Sequence, residues 1–364
     1  MKKFAIILSS IITAIAVIIG GLFAFEYVKY LQPKEQETEV QAPVIIDDSV
    51  YITITAAGDC TLGTDVNYAG STSFESEMVN RNYDYSHFLS LVKPLFENDD
   101  LTIVNFEGTL SERGARQDKE YAFRGNPEYA KVLTSSSVEA VNLANNHTYD
   151  YGEAAFSDTK KIMEENGVIW FEGSNFTITE IKGVKVGLIG VNGLTYAGKT
   201  QFPKIIAKMK EQGAELIIAS FHWGEEGAYI PNETQISLAH SAIDNGADLV
   251  LGHHPHVLQG IEKYNGKYIV YSLGNFCFGG HKNPADKDTM IFRQVFRFKD
   301  GELLADYDNV QIVPCSISSV SERNNYQPMP FIGSDYERLR SKIIELSSGF
   351  FGIEDVQIME NVLY

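Results

Sequence analysis

Residues 248–256, Asp-Leu-Val-Leu-Gly-His-His-Pro-His, join a short apolar run directly to a group of histidines. The run Leu249–Leu251 predicts a buried strand, and the glycine and proline that follow predict a turn at its end. His254 and His256 flank the rigid proline, and residues i and i+2 of an extended chain point to the same side. We therefore expect these two imidazoles to converge on one point and His253 to point away from it.

Four other segments have the same layout, an apolar stretch followed at once by Asp, Asn, Glu or His. They are Ala57-Gly58-Asp59, Asn105-Phe106-Glu107, Asn145-Asn146-His147 and His222-Trp223-Gly224-Glu225. At the edge of a sheet, each strand contributes one or two of its side chains to a common point. Imidazole, carboxylate and amide oxygen together suit Zn²⁺, Mn²⁺ or Fe. The five segments predict a site for one or two divalent ions that supports hydrolysis or binding.

From residue 50 onward, predicted strands alternate with predicted helices. The predicted strands are 51–57, 101–105, 138–143, 168–171, 184–191, 216–221, 249–251, 268–272, 290–298 and 308–313, and the predicted helices are 86–97, 127–133, 153–166, 202–212 and 233–245. Such alternation is typical of an α/β layered domain with ligands at the strand ends. The late strands follow one another without long helices, which predicts a second sheet packed on the first.

The composition excludes some classes of function. The 364 residues carry a formal net charge of −18, whereas nucleic acid and anionic lipid surfaces favour clustered Lys and Arg. We therefore expect no nucleic-acid partner. The three cysteines, Cys60, Cys277 and Cys315, are too few and too scattered for a disulfide framework.

The N-terminus has the pattern of a membrane anchor. Lys2 and Lys3 precede an uncharged run, residues 4–25, which would reach about 33 Å as a helix and so cross a bilayer core of about 30 Å. The two lysines predict a cytoplasmic N-terminus and an extracellular remainder. A cleaved signal peptide is the alternative, but a small-residue cleavage site is absent from the sequence after the run.

The predicted organisation has four parts: a transmembrane anchor (1–28), an acidic stalk (29–49), a two-sheet domain (50–320) and a C-terminal extension packing on that domain (321–364).

Several candidate residues have a second, structural interpretation. Asp59 suits a metal ligand but also a turn or helix cap, and Glu107 suits a bridge between two ions but also the surface. Asn146 offers an amide oxygen for a metal, and His147 offers an imidazole for proton transfer. Asp150 either orients His147 or caps the helix that begins near residue 152.

The ordered set of motifs resembles the CapA/PgsA family of capsule (poly-γ-glutamate) synthesis proteins, which is similar in fold to the calcineurin-like metallophosphoesterases. The stretches that carry the resemblance are AAGDCTLG near residue 57, VNFEGTL (104–110), VNLANNHTYDYG (141–152), FHWGEE (221–226), DLVLGHHPHVLQG (248–260) and YSLGNFCFGG (271–280). The resemblance implies a metallophosphoesterase-like four-layer α/β/β/α sandwich, here preceded by the N-terminal transmembrane helix.

The resemblance also implies roles for individual residues. The implied metal ligands are Asp59, Glu107, Asn146, His222, His254 and His256, with His147 as proton donor to a leaving group and Asn275 and Arg124 as contacts to an anionic substrate. The chain departs from the phosphoesterase Asp-x-His pattern because Thr61 stands at the histidine position. Either Glu225 or a water supplies the missing ligand, or the site holds a single tight ion.

Three functions are compatible with these features. The first is a membrane-anchored, extracytoplasmic protein that works with other membrane proteins of a polymer synthase or export complex to make or export an anionic capsular polymer. The second is a freestanding metal-dependent phosphatase or phosphodiesterase of the cell surface. The third is a polymer-binding scaffold without catalysis. The sequence leaves open whether the chain is an enzyme.

Overall fold

The computed structural model describes residues 17, 21, 22, 47–305, 307 and 309–360. Its helices are α1 (Phe74–Asn80), α2 (Lys93–Phe96), α3 (Ala130–Thr134), α4 (Gly152–Glu165), α5 (Tyr196–Glu211), α6 (Glu233–Asn245) and α7 (Gly333–Ser347). Its strands are β1 (Val50–Thr61), β2 (Leu101–Phe106), β3 (Thr109–Leu110), β4 (Arg124–Gly125), β5 (Ala140–Asn142), β6 (Ile169–Phe171), β7 (Thr177–Ile181), β8 (Val184–Asn192), β9 (Leu216–His222), β10 (Leu249–His253), β11 (Ile261–Tyr264), β12 (Lys267–Val270), β13 (Asn275–Phe278), β14 (Asp288–Lys299), β15 (Glu302–Leu303), β16 (Val310–Ser316), β17 (Met329–Pro330) and β18 (Gln357–Ile358). The mixed α/β fold expected from the sequence is confirmed.

The strands form two large sheets and one short pair. The first sheet has the order β17-β16-β14-β1-β2-β5-β6, with β13 beside β1, β15 beside β14 and β18 beside β16. The second has the order β11-β12-β10-β9-β8-β7, and β3 pairs with β4. Strands β1, β2, β5 and β6 run parallel, as do β8, β9, β10 and β12.

Three apolar clusters show how the layers pack. The inner faces of both sheets meet in one cluster, where Ile54 of β1 and Ile103 of β2 share the core with Ile218 of β9. A second cluster joins the outer face of the first sheet to helices α1–α4. A third joins the outer face of the second sheet to α5 and α6. Apolar faces on both sides explain the almost uninterrupted burial of the central parallel strands.

The chain beyond residue 320 adds to these layers. Strands β17 and β18 extend the first sheet by pairing with β16. Leu339 and Ile343 of α7 are buried in the cluster between the two sheets.

The registers bring the polar strand ends together. In the first sheet Asp59 of β1 lies opposite Asn105 of β2 and opposite Asn275 of β13. In the second sheet His222 of β9 lies opposite His253 of β10. Because the two sheets pack face to face, these ends form one cluster of buried polar side chains.

The predicted helix 86–97 is wrong as a continuous element. A 3₁₀ turn covers Tyr85–His87, and α2 begins separately at Lys93 with a proline in its first turn. Proline has no N–H to donate to the preceding turn, so it starts a helix rather than continuing one. Helix α1 was not predicted; Ser73 caps it by accepting from the Ser76 N–H.

Within the residues that the structure describes, no helix combines the length and the apolar composition that crossing a bilayer requires. The predicted anchor, residues 1–28, lies outside the described residues except at positions 17, 21 and 22, and so does the stalk up to residue 46.

Gly58 is required by the approach of β1 to the turn before β13. A Cβ added at Gly58 would lie 2.0 Å from the carbonyl oxygen of Gly274, whereas one added at Gly349 would meet no atom within 4 Å. We expect Gly58→Ala to lower the free energy of unfolding by about 1–3 kcal/mol, because backbone must move to relieve the overlap. Urea unfolding checks this, with Gly349→Ala as the matched control. Equal midpoints for the two variants would contradict the prediction.

Candidate metal centre

One group of ligand atoms lies where the two sheets meet. Carboxylate oxygens of Asp59 and Glu107 and a ring nitrogen of His222 all lie within 4.8 Å of one another, and the three side chains are buried. His222 Nδ1 is 3.6 Å from Glu107 Oε1. Asn105 lies among them and donates its amide N–H groups to Asp59 Oδ1 at 2.8 Å and Glu107 Oε1 at 3.2 Å.

Asn146 joins this group through His222. The pKa of His222 is well below its usual value, chiefly because burial disfavours the charged ring. The neutral ring donates from Nε2 to Asn146 Oδ1 at 2.8 Å. The amide oxygen of Asn146 therefore lies beside the imidazole of His222.

A second group consists of Glu226, His254 and His256, whose ligand atoms also lie within 4.8 Å of one another. Glu226 was not predicted from the sequence, which offered Glu225 as the replacement for the ligand absent at Thr61. Glu226 follows the turn after β9 and is exposed, while His254 is buried. The signal in the sequence was the adjacent pair of glutamates in FHWGEE, which does not show which one reaches the site.

The loop after β10 does not have the extended conformation that the sequence suggested. His254 has a φ of 93° and His256 a φ of 57°, both in the left-handed region. The two rings nevertheless converge, with centroids 5.8 Å apart. Left-handed backbone at residues other than glycine costs about 1–3 kcal/mol and persists only where surrounding contacts impose it. Asn275 supplies such contacts, because it donates to the His256 carbonyl at 3.1 Å and accepts from His256 Nδ1 at 2.9 Å.

His253 does not point away from the site. It is buried, and its Nδ1 lies 3.3 Å from Asp59 Oδ1. It belongs to neither group of ligand atoms. The backbone N–H of His254 donates to the other oxygen, Asp59 Oδ2, at 3.3 Å.

The charged groups at the site shift one another's pKa values. Burial alone would raise the pKa of Asp59, but contacts with His253 and His256 bring it well below its usual value. Burial raises the pKa of Glu107 to about 8, and the charge of Asp59 adds to this. Burial would lower the pKa of His256, but the charges of Glu107 and Asp59 raise it to about 9. The carboxylates of Asp59 and Glu107 therefore repel each other in this buried site.

The residues fit a bound divalent cation. Glu107 Oε2 and His254 Nδ1 are buried without a hydrogen-bond partner in the described part of the chain. Burial lowers the pKa of His254 to about 4, with the nearby charge of His256 contributing, so its ring is neutral and has a lone pair for a metal. A cation would satisfy both groups and offset the repulsion between the carboxylates.

His147 and Asp150 form a buried pair beside these groups. His147 Nδ1 lies 2.7 Å from Asp150 Oδ2, and Asp150 also accepts from Lys119 Nζ at 2.8 Å and from the Phe123 N–H at 2.6 Å. Helix α4 has Tyr151 as its N-cap and no side-chain capping bond. Of the two interpretations open in the sequence, the structure therefore shows Asp150 orienting His147 rather than capping the helix.

The sequence profile of the family described as bacterial capsule synthesis protein PGA_cap matches residues 53–280. The chain belongs to this family. It is 31% identical over 271 residues to the capsule biosynthesis protein CapA of Bacillus anthracis, covering 67% of this chain and 64% of the relative. It is 33% identical over 227 residues to the PGA biosynthesis protein CapA of Bacillus subtilis, covering 56% of this chain and 59% of the relative.

The chain thus spans less than two thirds of the length of these two CapA relatives. Among solved structures, a calcineurin-like phosphoesterase, YfkN from Bacillus subtilis, is similar with a TM-score of 0.45 and 18% identity, covering 82% of this chain and 98% of that one.

Arg124 and Asn275, the residues that the family resemblance assigned to an anionic substrate, have other contacts. The Arg124 guanidinium lies 3.6 Å from the centroid of the Tyr151 ring and donates to the carbonyls of Arg113 and Gly114. Arg124 is not among the described residues that line the cavity beside the site, whereas Asn275 is. Asn275 is 3% exposed, and both its amide oxygen and its amide nitrogen are bonded to His256.

The cavity beside the site has a volume of about 1280 Å³. His147, Glu226 and His256 line it, and so do Arg338 and Lys342 of α7. The second group of ligand atoms and the His147–Asp150 pair thus each place a residue on the cavity wall.

The two groups of ligand atoms predict separable metal binding. We expect Glu226→Gln to weaken the binding of an ion by the second group of ligand atoms at least tenfold, because it removes the negative charge of that group. The ion held by Asp59, Glu107 and His222 should stay bound. His222→Ala should weaken the binding of the ion by the first group. Metal content after dialysis against graded chelator, measured by elemental analysis on the full-length protein, checks both variants.

His240→Ala is the matched control, because His240 pairs with Glu262 of β11, two strands along from β10 in the second sheet. Loss of both ions in Glu226→Gln, or of neither in His222→Ala, would contradict the division into two groups.

Proposed function

We propose that this protein is a metal-dependent hydrolase, of the phosphoesterase type, that acts in the synthesis or export of an anionic capsular polymer such as poly-γ-glutamate. The observation that carries the proposal is the arrangement of two adjacent groups of ligand atoms and a buried His147–Asp150 pair beside one cavity. A scaffold that only binds polymer has no need for a carboxylate that orients a histidine.

Asp59, Glu107, Asn146, His222, His254 and His256 are the proposed metal ligands, joined by Glu226. Mn, Zn or Fe fits this mixture of imidazole, carboxylate and amide oxygen, for one or two ions. When bound, such ions activate a water and polarise the oxygen of a phosphoryl or acyl group. The chain's own contribution is to hold the ligands in place and to exclude bulk water around them.

His147 is the proposed proton-transfer residue. Burial lowers its pKa, so the ring is neutral near pH 7 even though Asp150 favours the charged form. Asp150 accepts hydrogen bonds from Lys119 Nζ, from the Phe123 N–H and from the Nδ1–H of His147. His147 Nε2 is then the atom that takes up a proton and returns it to the leaving group.

The proposed location is the cell membrane. The uncharged run 4–25 after Lys2 and Lys3 supports a single N-terminal anchor, with the N-terminus cytoplasmic and the folded domain extracellular. The proposed partners are other membrane proteins of a polymer synthase or export complex, and the proposed substrate is an anionic polymer or a phosphate-bearing molecule. The names of the two Bacillus relatives support the role in capsule synthesis.

A freestanding phosphatase or phosphodiesterase of the cell surface is the second candidate. The size of the cavity favours it, because a volume of about 1280 Å³ admits many substrates besides one dedicated polymer.

Hydrolysis of model esters tests the enzyme class. We expect the full-length protein with added Mn²⁺ to hydrolyse an aryl phosphate monoester or diester, and Asp59→Ala to abolish this because it removes a proposed ligand. His240→Ala is the control and should keep wild-type turnover. Bound metal without turnover on either ester, in a protein that also fails to cleave an isolated capsular polymer, would contradict the hydrolase proposal.

The His147–Asp150 pair makes a second prediction. Asp150→Asn should lower kcat by about 10²–10⁴-fold, the usual range for general acid–base catalysis, and change KM little. The reason is that an amide no longer holds the required tautomer of His147. Steady-state kinetics with an aryl phosphate checks this, with Asp355→Asn as control, since Asp355 lies at the surface and pairs with Lys263. An unchanged kcat in Asp150→Asn would remove the pair from the mechanism.

A further inference from the structure

Two basic side chains of α7 face the cavity beside the candidate metal centre. Arg338 and Lys342 both line it, and we call them the α7 pair. Residues four apart on a helix lie on one face, so the pair forms a single surface, while Leu339 and Ile343 are buried in the core between the two sheets. The Arg338 side chain is 49% exposed and the Lys342 side chain 23% exposed. The pair is therefore open to a ligand in the cavity.

Acidic side chains hold the α7 pair in a fixed position. Arg338 donates from both of its terminal nitrogens to the two oxygens of Asp288, at 2.8 and 2.6 Å. Lys342 donates to Asp286 at 2.7 Å and to Asp288 at 2.8 Å. Burial alone would raise the pKa of Asp288, but the bonds from Arg338 and Lys342 lower it, so the group is a carboxylate. A ligand that binds here meets cations that are already ordered.

The two carboxylates leave donors of the α7 pair free. A guanidinium has five N–H donors, and the bonds to Asp288 use two of them. An ammonium has three, and Lys342 uses two. These are the only hydrogen bonds of the two side chains to the residues that the structure describes. Asp288 occupies the end of the guanidinium, so the side edge formed by Nε and one terminal nitrogen is left for a second carboxylate.

The α7 pair offers the cavity a cation that Arg124 does not. The resemblance to the family assigned an anionic substrate to Arg124, but its guanidinium packs on the Tyr151 ring and does not line the cavity. The pair lies beyond residues 53–280, the part of the chain that matches the family profile. A substrate contact made by α7 is thus additional to the motifs of the family.

The charges around the α7 pair favour an anion with single, separated charges. Besides the pair, this part of the wall carries Lys287, and the acidic side chains Asp286, Asp288 and Asp335 lie on the same wall. Three cations beside three carboxylates bind one further carboxylate at a time through their free donors. A polyphosphate concentrates several charges in a small volume, and the three acidic side chains repel it.

One cavity contains both the α7 pair and residues of the candidate metal centre. His147, Glu226 and His256 line the same space as the pair. Its volume of about 1280 Å³ exceeds the range of about 300–1,000 Å³ that is typical of small-molecule sites. A polymer that presents one unit to the metal centre therefore has room to place neighbouring units against α7.

We propose that Arg338 and Lys342 determine substrate specificity by binding carboxylates of a polymer that carries one negative charge per unit. Arg338 donates to one carboxylate through its free side edge, and Lys342 adds a bond from its remaining N–H. The inference rests on the proposed function for the reaction that follows, whereas binding at α7 needs neither metal nor turnover. The two residues hold the chain and do not touch the reacting atoms.

Binding of a short carboxylate polymer tests the proposal. The probe is a tetramer of γ-linked glutamate, prepared as both enantiomers and titrated by calorimetry into chelator-treated full-length protein in detergent. We expect at least one enantiomer to bind, and Arg338→Met to weaken it about tenfold through loss of hydrogen bonds to a charged group. Arg338→Lys keeps the charge beside Asp288 but lacks the side edge, so it should weaken binding roughly threefold.

Arg340→Met is the matched control, because it removes the same charge from an exposed position of α7 that is not among the residues lining the cavity. It should bind the tetramer like the wild type. Two comparison ligands complete the design. One is the same tetramer with its α-carboxyl groups converted to amides, which removes the charge, and the other is inorganic tripolyphosphate, which concentrates it.

The proposal is overturned if neither enantiomer binds or if a comparison ligand binds at least as tightly as the tetramer. It is also overturned if Arg338→Lys binds like the wild type, which leaves only a general effect of charge, or if Arg340→Met weakens binding as much as Arg338→Met. Circular dichroism confirms that each variant is folded. Because metal is removed, failure here is distinct from failure of the hydrolase proposal, which the ester assay tests.

Discussion

The side-chain amide of Asn105 connects the buried polar side chains at the strand ends through hydrogen bonds. It donates to Asp59 and Glu107, which electrostatic repulsion would otherwise drive apart, and its Nδ2 is 3.3 Å from His222 Nδ1. Its oxygen accepts in turn from the amides of Asn142 and Asn145. A buried network of this kind is favourable only when nearly every member is satisfied, so the positions of the four strand ends depend on one another.

The strain in the loop after β10 follows from the same constraint. Strand β10 ends opposite β9, so His254 and His256 reach the polar cluster only if the chain turns back sharply, and both adopt left-handed backbone to do so. The contacts of Asn275 with His256, and of Asp59 with the His254 N–H, offset part of that cost. Asp59 of the first group of ligand atoms therefore helps to hold the strained loop that carries His254 and His256.

Much of this arrangement could be predicted from the sequence, because strand ends leave a local signal. Apolar runs followed by Asp59, Glu107, Asn146, His222 and the histidines after β10 indicated one sheet edge, and the structure brings all of them together. The contribution of Glu226 could not be predicted, since it depends on contacts between loops rather than on strand periodicity. The predictions of a continuous helix 86–97 and of an outward-pointing His253 were wrong for a related reason. The spacing of apolar residues does not reveal where the backbone conformation departs from regular values.

The loop that carries Glu226 shows how distant parts of the chain complete the site. The Gly227 N–H donates to the Pro255 carbonyl at 2.8 Å, which ties this loop to the histidine loop. Tyr229 donates to Asp286 at 2.7 Å, and Lys342 of α7 donates to the same carboxylate oxygen at 2.7 Å. The C-terminal helix thus steadies a loop that reaches the metal centre from the second sheet. An exposed glutamate on a loop held in this way would lose less conformational freedom on binding an ion than one on a free loop.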